Sequence, residues 1–299
     1  MSRRSNLCSL TGSLRYVLII LSVLLIILSA TAAYATAITD DVGREVTINT
    51  PVSSVVCLSP AHTEMIFWLG LENKLVAVSG QCDYPREALK TEKAGTFLNP
   101  DIEKIVKLNP GCVISGGGIQ KKAIKALEKL NIPVIVMYPS GVDSVISNME
   151  LLSELLGGGK EAGKKIKKFR NDFPVAGENK VRAYLELWGK PAMGVGGSSF
   201  INSVISAAGG DNIFGDSVSE YPKVSPEEIV KRNPDVIVML YDGEGKDRND
   251  IKLTNAWKNN AVYSLRKDQL DTILRPGPRI IEGIKTLEKL FASGKAGAR

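Results

Sequence analysis

The sequence predicts an α/β protein of two lobes with parallel sheets joined by a helical spine, and three observations predict it. First, one unit is written twice: FLNPDIEKIVKLNPGCVIS at 97–115 and EYPKVSPEEIVKRNPDVIVM at 220–239 share a single offset of 124 residues. At that offset Phe97 falls on Tyr221, Glu103 on Glu227 and Asn109-Pro110 on Asn233-Pro234. Second, short continuous apolar runs alternate with amphipathic helical stretches on both sides of the midpoint, the pattern of buried parallel strands with crossover helices. Third, the polar, lysine-rich stretch 160–173 lies between the two halves and suits an exposed connector.

The chain opens on an export segment, 1–35. Arg3, Arg4 and Arg15 precede the apolar block 16–30, and Ala33-Tyr34-Ala35 offers a small-residue cleavage site. General secretion fits better than the twin-arginine route, and the segment is long enough to anchor the chain in a membrane if it stays uncleaved. A hairpin follows over 38–51, with the turn at Asp40-Asp41-Val42-Gly43-Arg44. The first buried strand is 54–58; Ser59-Pro60 caps a helix that runs to Leu69 and stops at Gly70. Further strands fall at 75–79, 112–114 and 134–137 and a helix at 121–130, giving a first lobe of about five strands. The repeated unit carries a helix-start signal in each copy, Asn99-Pro100-Asp101 and Ser225-Pro226-Glu227-Glu228, and the Asn-Pro pair ends each helix.

Apolar residues at 142, 145, 146, 149, 152, 155 and 156 predict a one-faced helix that Gly157-Gly158-Gly159 breaks. The organisation expected is therefore a first lobe over 38–156, a connector over 157–177 and a second lobe over 178–299. The second lobe begins with a strand at 181–188, a glycine-rich loop at 194–199 and a helix at 200–208. A loop at 211–221, the second copy of the repeat, edge elements at 261–265 and 269–274 and a final helix at 280–291 complete it. Ligands of open parallel sheets bind outside the carboxyl ends of strands. The loops 80–85, 95–99, 115–118, 188–199, 219–223 and 241–246 are thus expected to line a cleft between the lobes.

Composition removes several function classes. Taking away the export segment removes three arginines and no acid, so the formal net charge drops from +6 to +3 over the remaining 264 residues. That is an ordinary soluble surface, without the basic, aromatic-interleaved runs of a nucleic-acid binder. Gly194-Val195-Gly196-Gly197-Ser198-Ser199 lacks the third glycine of a dinucleotide loop, and Gly116-Gly117-Gly118 lacks the lysine of a phosphate loop. Cys57, Cys82 and Cys112 show no zinc-ligand spacing. The single histidine, His62, sits at a helix start with no evident nucleophile and reads as a capped, partly buried side chain. No metal, no cofactor and no turnover are expected.

Five motifs in order carry a resemblance: Ser59-Pro60-Ala61-His62-Thr63-Glu64; Cys82-Asp83-Tyr84-Pro85; Phe200-Ile201-Asn202 with Gly209-Gly210-Asp211-Asn212-Ile213; Tyr221-Pro222-Lys223-Val224-Ser225-Pro226-Glu227-Glu228; and Arg275-Pro276-Gly277-Pro278-Arg279. Over about 38–293 the chain resembles the iron-siderophore and cobalamin class of ABC-transporter substrate-binding proteins, the cobalamin branch most of all. The resemblance implies two Rossmann-like lobes in the class III periplasmic-binding-protein fold, a monomer that captures a small molecule and delivers it to a permease and its ATPase. It implies that Glu103 and Glu227 dock on permease arginines. It places ligand contacts at Gln81, Tyr84, Phe97, Gly116, Trp188, Tyr221, Asp271 and Arg275. Phe97, Tyr221 and Gly116 stand where the branch has Trp, and Gln81 where it has Tyr. The cargo implied is cobalamin-like, with a ferric siderophore or haem as alternatives; Tyr221, Tyr241 or Tyr84 could serve haem as axial ligand. The connector is some two helical turns shorter than the usual spine.

Overall fold

The computed structural model describes residues 34–174, 180–241 and 248–296. The expected export segment, apart from its last two residues, the end of the expected connector and the cleft loop at 242–246 lie outside the described residues.

The elements of the first lobe are β1 (Tyr34–Thr39), β2 (Glu45–Thr50), β3 (Val55–Cys57), α1 (Pro60–Leu69), β4 (Leu75–Val78), α2 (Ile102–Leu108), β5 (Cys112–Ser115), α3 (Lys121–Lys129) and β6 (Val134–Val136). Strands β4-β3-β5-β6 form one parallel sheet. It has four strands rather than about five, because β1 and β2 pair only with each other as an antiparallel hairpin. The hairpin is tied on through its turn. The buried Asp40 carboxylate accepts from Arg44 and from the Val136 N–H, and Asp41 N–H donates to Val136 O at 3.0 Å. Burial pushes the Asp40 carboxyl up, but these bonds hold it below the usual carboxylate range.

The chain continues through α4 (Val142–Leu156), α5 (Gly159–Asn171), β7 (Val181–Gly189), β8 (Ala192–Gly194), α6 (Phe200–Ala207), β9 (Gly210–Asn212), α7 (Pro226–Arg232), β10 (Val236–Met239), α8 (Asn255–Lys258), β11 (Val262–Ser264), α9 (Lys267–Leu274) and α10 (Ile280–Ala296). The second sheet has the order β11-β10-β7-β8, with β9 paired to β7; all pairings are parallel except β7 with β8. Two expectations are corrected here. The stretch 211–221 is not all loop, since β9 takes its first residues, and 269–274 belongs to helix α9 rather than to a sheet edge.

The internal repeat holds at atomic detail. Helices α2 and α7 and strands β5 and β10 begin and end at positions exchanged by the offset of 124. Asp101 caps α2 by accepting from Lys104 N–H at 3.0 Å, and Ser225 caps α7 from Glu228 N–H at 3.2 Å. The first cap is Asp101, not Asn99. Asn109 and Asn233 close the two helices in the left-handed region, φ 43° and 45°, which asparagine tolerates better than most residues.

Helix α4 packs on α1 of the first lobe and on α6 of the second. Its Val145, Met149 and Leu152 join Met65, Val204 and Ile284 in one apolar core that runs through both lobes. Gly157, at φ 76°, ends α4 with a left-handed cap. Helix α5 is not the fully exposed connector its lysines suggest. Ala162, Ile166 and Phe169, one turn apart on a single face, are buried; Phe169 meets Trp68 of α1 edge-on at 5.6 Å, and Lys165 Nζ donates to Trp68 O. The lysines line the other, exposed faces, where Lys164 and Lys168 pair with Glu161 and Asp172.

Candidate functional site

A cavity of about 360 Å³ lies between the two sheets' loop ends. The first lobe supplies one group of residues after each parallel strand: Ser59 to His62 after β3, Gln81 after β4, Gly116 after β5 and Met137 to Pro139 after β6, with Phe97 from the loop before α2. The second lobe supplies Phe200 and Ile201 at the start of α6, Tyr221, and Leu274 to Pro276 after α9. The wall is mostly apolar and aromatic, the usual character of a small-molecule site.

Five of the expected ligand residues meet here: Gln81, Phe97, Gly116, Tyr221 and Arg275. Gln81 acts through Phe97, whose N–H donates to Gln81 Oε1 at 2.6 Å. The buried Gln120 holds the same loop from the other side, donating to Phe97 O at 2.9 Å and accepting from Gly116 N–H at 3.0 Å. Gly116 leaves room for a ring: a Cβ there would stand 3.2 Å from Phe97 Cε2. Phe97 thus covers the glycine instead of filling its own lobe's core.

The other three lie apart from this cavity. Tyr84 lines a second groove of about 480 Å³, beneath the Arg279 guanidinium at 3.8 Å. Trp188 is 57% exposed and leans on Tyr241, ring centroids 6.5 Å apart. Asp271 is a partner of Arg275, at 3.3 Å. Arg275 also meets Glu64 at 3.0 Å and Asp83 at 2.7 Å, and Arg279 grips both oxygens of Glu64 at 2.7 and 2.8 Å. Glu64 and Asp83 belong to the first lobe, so these ions clamp the lobes together beside the cavity. Burial alone would lower the guanidinium pKa values, but hydrogen bonds, to Asp83 and Glu64 for Arg275 and to Glu64 for Arg279, raise both above the ordinary arginine value.

Sequence reading missed Tyr138, which spans the cleft: its hydroxyl donates to Glu220 Oε2 at 3.0 Å while its backbone N–H donates to Asp41. Burial, and then the Glu220 carboxylate, push the phenol pKa up. A tyrosine just past β6, at the carboxyl end of a parallel strand, was the available signal.

His62 is fully buried, not partly, and Ser59 makes no capping bond; its Oγ meets His62 Nδ1 at 2.7 Å instead. Cys57, Cys82 and Cys112 are buried free thiols, and burial raises each pKa. The glycine-rich loop is a packing device: a Cβ on Gly196 or Gly197 would collide with the carbonyl of Ser219 or Gly215. Glu103 and Glu227 stand exposed in the first turns of the equivalent helices α2 and α7. Among the described residues no group of His, Cys, Asp and Glu is placed to hold a metal, and no helix is long and apolar enough to cross a membrane.

The family described as "Periplasmic binding protein" matches residues 55–269. The chain is 30% identical over 256 residues to a vitamin B12-binding protein of Vibrio parahaemolyticus, covering 83% of this chain and 92% of that one. Its fold is similar to the crystal structure of a periplasmic vitamin B12-binding protein of Vibrio cholerae, with a TM-score of 0.69, 27% identity, and 82% and 98% of the two chains covered. It is also similar to a possible iron-binding (periplasmic solute-binding) protein of Staphylococcus epidermidis, with a TM-score of 0.70, 25% identity, and 81% and 99% covered.

Proposed function

The chain belongs to the periplasmic binding protein family, the substrate-binding component of an ABC importer, and from that premise we propose that its cargo is a corrinoid held between the lobes. One observation supports this cargo above the alternatives. Arg275 is the only cation among the described residues lining the cavity, and Glu64, Asp83 and Asp271 already surround it. A ferric siderophore or the propionates of haem would bring negative charge to a wall with no positive charge to spare. A corrinoid brings a large apolar face and a rim of neutral amides, which rings and hydrogen-bonding groups can hold.

Phe97 and Tyr221, equivalent residues of the two repeat copies, approach the cargo from opposite lobes. Gln81 and Gly116 position Phe97, and Arg275 with Asp271 closes the mouth. Tyr84 and Trp188 stay outside the contact set in this arrangement. The lobes are taken as 38–156 and 178–299, with 157–177 between them. The protein performs no chemistry on its cargo, is exported by residues 1–35, cleaved or retained as an anchor, and presents Glu103 and Glu227 to a permease as a monomer.

The test is to purify the chain without residues 1–35 and titrate it with cobalamin, a ferric siderophore and haem, following tryptophan fluorescence and visible absorbance. Cobalamin should bind tightest. Haem or the siderophore binding more than about ten-fold tighter, a difference of about 1.4 kcal/mol, would overturn the corrinoid reading.

A further inference from the structure

Behind the cavity wall runs a chain of side-chain hydrogen bonds that the transport reading does not use, from the exposed Asp41 through the buried Asn148 and His62 to the buried Ser59. Its two ends differ in kind. Asp41 lies in the turn of the β1–β2 hairpin, whereas Ser59 and His62 line the cavity.

The direction of every bond follows from the Asp41 end. Asp41 Oδ2 accepts from the Tyr138 N–H at 2.6 Å and faces the Asn148 amide at 3.0 Å. A carboxylate has lone pairs only, so Asn148 must turn its NH₂ toward it. The amide oxygen Oδ1 then points at His62 Nε2, 2.9 Å away, and because an amide oxygen accepts only, Nε2 carries a hydrogen. His62 and Asn148 are both buried, and desolvation lowers the pKa of the imidazole, which keeps it neutral. Nδ1 is therefore bare, and the Ser59 hydroxyl at 2.7 Å must give its one hydrogen to it.

We propose that Ser59 is a specificity residue of the cleft, a hydroxyl that the chain from Asp41 turns into an obligate acceptor. Its hydrogen is committed to His62 behind the wall, so at this lining residue Oγ has lone pairs alone to offer. It reads an N–H or O–H donor on the cargo and rejects a group that offers only lone pairs. Resting on the corrinoid reading, this names the part of the cargo that is read: the N–H of a peripheral amide. Esters and ionised carboxylates at the same position present no donor.

Two measurements test it. The chain contains one histidine, so imidazole ¹⁵N spectra of the protein without residues 1–35 report His62 alone. At neutral pH the ligand-free protein should show the neutral tautomer protonated at Nε2, and Asp41→Ala, which removes the acceptor, should release that bias and give a mixture. A tautomer protonated at Nδ1, or an imidazolium, overturns the proposal. For specificity, wild type and Ser59→Ala are titrated with an amide-bearing corrinoid and with one whose peripheral amides are replaced by methyl esters. Ser59→Ala should weaken the amide form about ten-fold and leave the ester form unchanged. Equal effects on both, or no effect on either, refute the role. If neither corrinoid binds wild type, the cargo reading falls, while the tautomer still decides whether Ser59 is an acceptor.

Discussion

Replacing Glu64 by Gln should loosen the clamp between the lobes more than any other isosteric change beside the cavity. Glu64 is 3% exposed and its two oxygens receive bonds from Arg279 Nε and Nη2 and from Arg275 Nη1. Glutamine keeps the shape and one acceptor but removes the charge. Arg275 retains Asp83 and Asp271, whereas Arg279 is left with the Tyr84 ring as its remaining partner among these contacts. Breaking a buried pair costs about 3–5 kcal/mol. With one arginine still compensated and one acceptor kept, about 2–4 kcal/mol is expected here. At roughly 2–3 °C per kcal/mol for a chain of this size, Tm should fall by about 5–10 °C. Urea and thermal unfolding of wild type, Glu64→Gln, Arg279→Met and the double variant supply the numbers. A coupling energy of at least about 1 kcal/mol between the two sites is expected. A Tm within about 1 °C of wild type, or strictly additive single effects, would refute the clamp.

Phe97→Ala and Tyr221→Ala should each weaken cobalamin binding about ten- to a hundred-fold, since one ring face is worth roughly 1–3 kcal/mol; a fall in Tm with unchanged affinity for Phe97→Ala would return that ring to its own lobe's packing. Glu103→Arg with Glu227→Arg should leave cobalamin affinity near wild type and abolish delivery, because like charges opposed at an interface cost several kcal/mol; uptake surviving in reconstituted vesicles would sink symmetric docking. The buried His62 has a folded-state pKa depressed from 6.5, so above that value its contribution to stability is whole, and below it the unfolded chain takes up a proton that the folded chain refuses. Unfolding free energy should therefore drop as pH falls through about 6.5, by up to about 1.4 kcal/mol per unit, and His62→Gln should remove that slope; identical slopes for wild type and variant between about pH 7 and pH 5.5 would contradict it.

The sequence by itself determined the repeat and, through it, the local structure. Caps, helix stops and buried strands are short-range decisions, made by Asp101 and Ser225, by Asn109 and Asn233, and by apolar runs such as 236–239, and each needs only a few neighbours along the chain. The same repeat paired Phe97 with Tyr221 and Glu103 with Glu227 before any contact was visible. Tertiary structure alone decided which side chains share the cleft. Tyr138 reaches Glu220 across 82 residues, His62 finds Asn148 across 86, and Arg279 finds Glu64 across 215. No periodicity carries such pairings: the first and last arise only when the two lobes meet, and the second only when α4 packs on α1. For the same reason the resemblance gives Arg275 only as a ligand contact, and the fold surrounds it with three carboxylates, two of them from the other lobe. Helix α5 shows the opposite limit: its composition is set by the faces in water, while its place in the fold is set by Ala162, Ile166 and Phe169, whose burial depends on where Trp68 stands.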